Sequence, residues 1–344
     1  MNRVKDSLAP NRMGYLVRHI GADASIRPSE MAMSPLPSPA RKAASGAERR
    51  QLPPRPRLNP VMACDTAFRV VARRCIGDLT ANHEATCRGD PAALHQMRIG
   101  LTRLRTALLF FSPMIDDLRW AQIKDELKWL NGQLGTVRDL DVAIERLKSV
   151  NKQRSQATPY FQHWNEKRAD GHRHLARALR SVRYRRLIES ISGWVENGPW
   201  SIKKGKQAAQ QRASPIVAYS AHKLTKWREK LQKKCRKLPG MGTQKRHRLR
   251  LLNKKLSYSI EFFEDLFPDK RFSRQQTALR HLRKAQKSLG QLNDDANGHS
   301  LATELQRDGI HAPLQFLSHK REKHLIRTAG AAYQKLAAVK PFRT

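Results

Sequence analysis

Residues 95–111 read HQMRIGLTRLRTALLFF, and residues 247–263 read HRLRLLNKKLSYSIEFF. Laid on each other at an offset of 152 residues (247 − 95), the two stretches match beyond their opening histidines. Met97, Leu104, Leu108 and Phe111 fall on Leu249, Leu256, Ile260 and Phe263, and Arg103 falls on Lys255. At about 100° per residue, His95, Arg98, Thr102 and Arg105 share one helical face, while Met97, Leu101, Leu104 and Leu108 share another. The second copy repeats the arrangement, with His247, Arg250 and Lys254 on the polar face and Leu249, Leu256 and Ile260 on the packing face. Each stretch reads as an amphipathic helix that anchors its apolar side and presents a cationic strip.

Downstream, Leu134-Gly135-x-x-Arg138-Asp139 finds a counterpart in Leu289-Gly290-x-x-Asn293-Asp294, so the repeat extends past one helix. Outside the repeat, helical spacing of apolar residues recurs while the β-branched alternation of strands is missing. The spacing predicts helices over 61–86, 91–112, 117–148, 158–180, 182–197, 215–237, 243–265, 272–306 and 311–338. Prolines such as Pro91, Pro113, Pro159, Pro215 and Pro268 are expected between helices, where they start or end them. The expected fold is all-α, with a first half over 62–197, a basic linker over 198–214 and a second half over 215–340. Nine of the eighteen prolines lie in the first sixty residues, among Ser, Ala and Arg, so 1–58 reads as a disordered tail.

The chain has 344 residues, with 67 Lys and Arg against 29 Asp and Glu, a formal net charge of +38. Such a balance favours phosphate polymers or an anionic surface over a neutral small molecule. Cationic helix faces usually serve solubility, but solvated faces mix signs. From Gly198 to Ile260 eighteen Lys and Arg meet one acid, Glu229. Like charges at helical spacing destabilise a helix, so their retention points to an anionic partner. Arg dominates the first strip, as multidentate contact with phosphate favours. Cys64, Cys75, Cys87 and Cys235 form no C-x-x-C pair, which fits a reducing, cytoplasmic setting. No run of 18 apolar residues is present, so no membrane span is expected.

These motifs resemble the CHAD domain (conserved histidine α-helical domain) over about residues 62–340. The resemblance rests on His95-x-x-Arg98-x-x-x-Thr102-Arg103-Leu104-Arg105, on Leu134-Gly135-x-x-Arg138-Asp139-x-Asp141-Val142, and on His247-x-x-Arg250-x-x-x-Lys254-Lys255-Leu256-Ser257-Tyr258. Two positions depart from the family pattern: Thr102 and Ser257 stand where basic residues are usual. The resemblance implies two four-helix bundles related by a pseudo-twofold axis. It also implies a basic groove that binds inorganic polyphosphate, often at polyphosphate granules. The candidate ligand-binding residues are His95, Arg98, Arg103, Arg105, Arg138, His247, Arg250, Lys254 and Lys255, with Asp139 and Asp294 supporting them.

Neither His95 nor His247 comes with an H-E-x-x-H motif or paired carboxylates, so no metal, cofactor or catalytic residue is assigned. The E-x-E-x-K motif of triphosphate-cleaving CYTH domains is missing from the chain. Asp139, Asp141 and Asp294 are read as structural: a carboxylate in a basic groove weakens anion binding unless it orients an arginine or caps a helix. Histidines at 172, 174, 319 and 324 read as surface residues, and the runs 201–206 and 233–237 as solvated, mobile basic segments. The alternative ligand is nucleic acid, bound without base readout through counterion release.

Overall fold

In the computed structural model the described residues are 57–150, 159–202, 205–266, 270–307 and 316–340. The expected tail over 1–58 lies almost entirely outside them. Among the described residues the chain is all-α, with no named strand. In chain order the helices are α1 Cys64–Thr80, α2 His83–Cys87, α3 Pro91–Ile115, α4 Trp120–Val150, α5 Pro159–Arg180 and α6 Val182–Asn197. They continue as α7 Lys206–Ala213, α8 Ile216–Cys235, α9 Thr243–Phe262, α10 Lys270–Arg307 and α11 His319–Ala338.

Local chemistry explains most of these boundaries. Asp90 caps α3 by accepting from the amides of Ala92 and Ala93, and Pro91 occupies the first helical position, where its missing N–H is no loss. Ser181 and Ser318 cap α6 and α11 through their hydroxyls. Asp117 does more: one carboxylate oxygen accepts from the amides of Arg119 and Trp120, and the other accepts from Trp194 Nε1 at 2.8 Å and Trp200 N at 3.0 Å. The start of α4 is thereby fastened to α6 and to the 3-10 turn Pro199–Ser201.

Four sequence expectations need correction. The segment 61–86 is two helices, because the Asn82 side chain donates to the Asp78 carbonyl at 3.1 Å and diverts the chain from helical pairing. Pro113 lies inside α3; the hydroxyl of Ser112 donates to the Leu109 carbonyl at 3.0 Å, the acceptor that an amide at 113 would have used. Helices α4 and α10 run through Gly135 and Gly290 without a break, so Asp139 and Asp294 cap no restarting helix. The basic stretches are partly helical where described: Lys206 opens α7, and Lys233 and Lys234, exposed as expected, lie in the last turn of α8.

One hydrophobic core joins residues from both repeated helices. Phe110 and Phe111 of α3 pack on Phe263 just after α9, with ring centroids 5.0 and 6.1 Å apart, and Phe111 stacks on Tyr219 of α8 at 5.8 Å. Phe68 of α1 meets Trp194 and Trp200 edge-on at 6.1 and 5.1 Å. Each such side chain contributes about 1.5–3 kcal/mol by leaving water. Helices α1 and α3 approach closely at Gly100, where a β-carbon would stand 2.8 Å from the backbone nitrogen of Leu79. Arg228, one of the eighteen cations noted above, is buried and donates to the Leu336 carbonyl at 2.8 Å and the Ala337 carbonyl at 3.1 Å. It closes the C-terminus of α11 and is unavailable to a ligand. Among the described residues no helix is long and apolar enough to cross a membrane.

Candidate functional site: a basic cluster drawn from three helices

The packing of α3 against α9 sets their polar faces side by side, and α4 adds a third contributor. Helix α3 supplies His95 and Arg98, α4 supplies Arg138, and α9 supplies Arg250 and Lys254. Burial pushes the Lys254 ammonium down to about 8 from its ordinary 10.5, and the positive charges of Arg250 and Arg98 push the same way. Burial also lowers His95, helped by Arg138, Lys254 and Arg98, with Glu145 opposing weakly. The cluster is therefore already crowded with charge, and its weakest base surrenders its proton first.

Acidic support is sparse. Asp139 stands 3.6 Å from Arg98 Nη1, which also reaches the Gly135 carbonyl at 3.4 Å, so Arg98 is aimed from α4. Glu145, largely exposed, lies 3.7 Å from Arg138 Nη1. The Nε of Arg250 is buried and has no hydrogen-bond partner among the described residues. Thr102, standing where the motif usually carries a base, spends its hydroxyl on the Arg98 carbonyl at 2.8 Å. Ser257 is buried and bonds the Asn253 carbonyl at 3.1 Å, so no cation could replace it without rearrangement.

The remaining candidates separate. Arg105 of α3 and Lys230 of α8 both act on Lys255: burial, then these two positive charges, lower its ammonium. These three make a second, neighbouring concentration of charge. Arg103 belongs to neither: Nη1 bonds Glu261 Oε2 at 2.9 Å, and the guanidinium lies 5.5 and 5.4 Å from the ring centres of Tyr258 and Phe262. His247 Nδ1 donates to Asn293 Oδ1 at 2.6 Å, joining α9 to the residue that aligns with Arg138. At the position matching Asp139, Asp294 offers its backbone carbonyl to Arg146 at 2.5 Å. Sequence reading missed Lys230, which belongs to no repeated motif, and Glu261, whose partner Arg103 is 158 residues away.

Among the described residues no three His, Cys, Asp or Glu side chains group to hold a metal ion. Asp141 is buried; burial pushes its carboxyl up, but bonds from His172 at 2.9 Å and Arg168 at 2.7 Å overcome this and hold it below the usual range. His172, expected at the surface, is thus an internal residue, whereas His174, His319 and His324 are exposed.

Comparison with known proteins agrees with this architecture. A search of the curated proteins returns no match. Among solved structures, the crystal structure of the CHAD domain from the plant Ricinus communis aligns with a TM-score of 0.66 at 23% identity, covering 83% of this chain and 96% of that one. PptA from Streptomyces chartreusis aligns with a TM-score of 0.52 at 13% identity, covering 81% of this chain and 96% of that one. At such identities these alignments speak for the fold. The sequence profile of the CHAD domain matches residues 70–302, more than half of the chain, which therefore belongs to the CHAD domain family.

Proposed function

We propose that the chain binds inorganic polyphosphate, without turning it over, through the cluster formed by His95, Arg98, Arg138, Arg250 and Lys254, extended by Arg105 and Lys255. The observation that carries this reading is the convergence of Arg98, Arg250 and Lys254 at a half-buried place where the ammonium is pushed to about 8. Like charges held together out of water are unfavourable, and a polyanion relieves that repulsion while its oxygens meet the guanidinium donors. Polyphosphate suits a strip of cations better than nucleic acid does, since it carries closely spaced charge and no bases to stack. Trp194 and Trp200 are fully buried in the core and cannot serve as a stacking platform. Family membership supports the same ligand class. By this reading the protein works in the cytoplasm, in association with polyphosphate granules.

A competition titration tests the proposal. Long-chain polyphosphate and duplex DNA, at equal phosphate concentration and physiological salt, compete for the protein, and polyphosphate is expected to win by at least tenfold. Arg98→Glu with Arg250→Glu is expected to abolish that preference, while Lys206→Glu with Lys233→Glu, both at exposed positions, changes affinity by less than threefold. Equal losses in the two double variants would remove the defined site, and preference for DNA would transfer the function to nucleic acid.

A further inference from the structure

Helix α5 and the end of α2 line a second basic feature, open to solvent, to which none of the cluster residues contributes. A cavity of about 490 Å³ is lined by Arg88, Arg173, Arg177 and Arg180, with His172 and Cys87 also in its wall and no carboxylate among its lining residues. Arg173 is paired with Asp170. Arg88, Arg177 and Arg180 have no hydrogen-bond or ion-pair partner among the described residues. All three stand at exposed positions, where water screens their mutual repulsion and leaves their guanidinium donors free for an anion without displacing a protein partner.

His172 is built into this cavity more firmly than a surface histidine would be. Its side chain is 10% exposed, and its Nε2 lies 2.9 Å from Asp141 Oδ1. Arg168 Nε holds the same carboxylate at 2.7 Å, and an ionised carboxylate only accepts, so the His172 Nε2 carries a proton. That assignment leaves Nδ1, which is buried and has no hydrogen-bond partner among the described residues. The atom nearest to a β-carbon placed on Gly89 is this Nδ1, 3.9 Å away. Gly89 adopts φ 84°, a conformation that favours glycine, and so leaves the space beside the imidazole unfilled.

We propose that this cavity is a separate binding site for a small, multiply charged phosphate anion of about pyrophosphate size, gripped by Arg88, Arg177 and Arg180 with His172 at its wall. Planar guanidinium forks match phosphate oxygens two at a time, which makes phosphate the fitting class. Apart from the imidazole, no aromatic ring lines the cavity, so a nucleoside has nothing to stack on and an inorganic or short aliphatic phosphate is the better occupant. The same chemistry is offered by free pyrophosphate and by the end of a polyphosphate chain. The site is distinct from the cluster around Lys254, and its occupancy does not depend on what that cluster binds.

Pyrophosphate itself is the probe. Calorimetry on the full chain at physiological salt is expected to show binding that weakens at least tenfold in Arg177→Gln with Arg180→Gln, two exposed positions whose loss leaves the core intact. Arg98→Gln with Arg250→Gln is expected to change pyrophosphate affinity by less than threefold. Nitrogen NMR of the labelled imidazoles adds a local readout: titration shifts the His172 ring signals of the wild-type protein, which a loss of fold in a variant could not mimic. No pyrophosphate binding, unchanged affinity in the Arg177/Arg180 variant, or an unmoved His172 signal would each overturn the site. Long-chain polyphosphate separates the two sources. An affinity unchanged in the Arg177/Arg180 variant identifies a free small anion, and a reduced one identifies a chain end; both leave the site standing.

Discussion

Arg103 of α3 and Glu261 of α9 form an ion pair of 2.9 Å that joins the two repeated helices across 158 residues of sequence. Glu261 also lies 3.3 Å from Arg283 of α10, so one carboxylate gathers cations from two neighbouring helices. Arg103 is expected to matter for stability more than for ligand. Arg103→Ala should lower unfolding free energy by about 1–2 kcal/mol, as loss of a charged hydrogen bond does when the acid retains another partner. Polyphosphate affinity should fall by less than threefold. Denaturant unfolding and a binding titration on the same variant check both halves; a tenfold loss of affinity with unchanged stability would return Arg103 to the binding site.

Lys254 gives the ligand-free protein a distinctive response to pH. Its ammonium is pushed to about 8 in the folded chain and is 10.5 ordinarily, so the unfolded chain binds more protons between those values and stability rises with pH across that window. Lys254→Met should remove this rise and make the protein more stable at neutral pH. Bound polyanion reverses the shift: affinity should fall as pH climbs from 7 to 9, and binding near pH 8 should take up a proton, read by calorimetry in buffers of different ionisation enthalpy. Proton release on binding would contradict the placement of Lys254 beside the ligand.

Salt tests the driving force rather than the ligand. Displacement of condensed counterions makes the logarithm of affinity fall linearly with the logarithm of salt, and on the order of 5–8 effective contacts are expected from the candidate residues. Arg98→Ala should reduce that slope by about one contact. An affinity indifferent to salt would replace a polymer with a small ligand in a dry pocket.

Gly100 is a structural requirement of the first cationic helix. A β-carbon there would stand 2.8 Å from the Leu79 nitrogen and 2.9 Å from its α-carbon, both backbone atoms that cannot swing aside. Gly100→Ala should destabilise the protein by about 1–3 kcal/mol, as overpacking does, although alanine is the better helix former. Thermal denaturation checks it; a stabilised variant would mean that α1 and α3 can separate at no cost.

Catalysis is expected to be missing. The acids nearest the cluster, Asp139 and Glu145, are each turned to an arginine, and paired metal ligands of the kind used in phosphoryl hydrolysis are not gathered among the described residues. No phosphate should be released from polyphosphate or nucleoside triphosphates with Mg²⁺ or Mn²⁺ present. Release that disappears in Asp139→Asn would establish an enzyme.

The all-helical character and the repeated basic helices are legible in residues 95–111 and 247–263, because amphipathic spacing and charge sign are local properties of a chain. The breaks at Asn82 and the continuity through Pro113 were not, since each depends on a single side-chain bond to a carbonyl. Nor could the linear chain distinguish Arg103 from Arg105. Two residues apart on a helix, they point about 200° from each other, and only the packing of α9 makes one a partner of Glu261 and the other a neighbour of Lys255. His172 makes the same case: its interior place is set by Asp141, 31 residues earlier, on a different helix. Sequence alone determined which charges the protein carries; tertiary structure decided which of them meet, because convergence of side chains from α3, α4 and α9 is a property of packing.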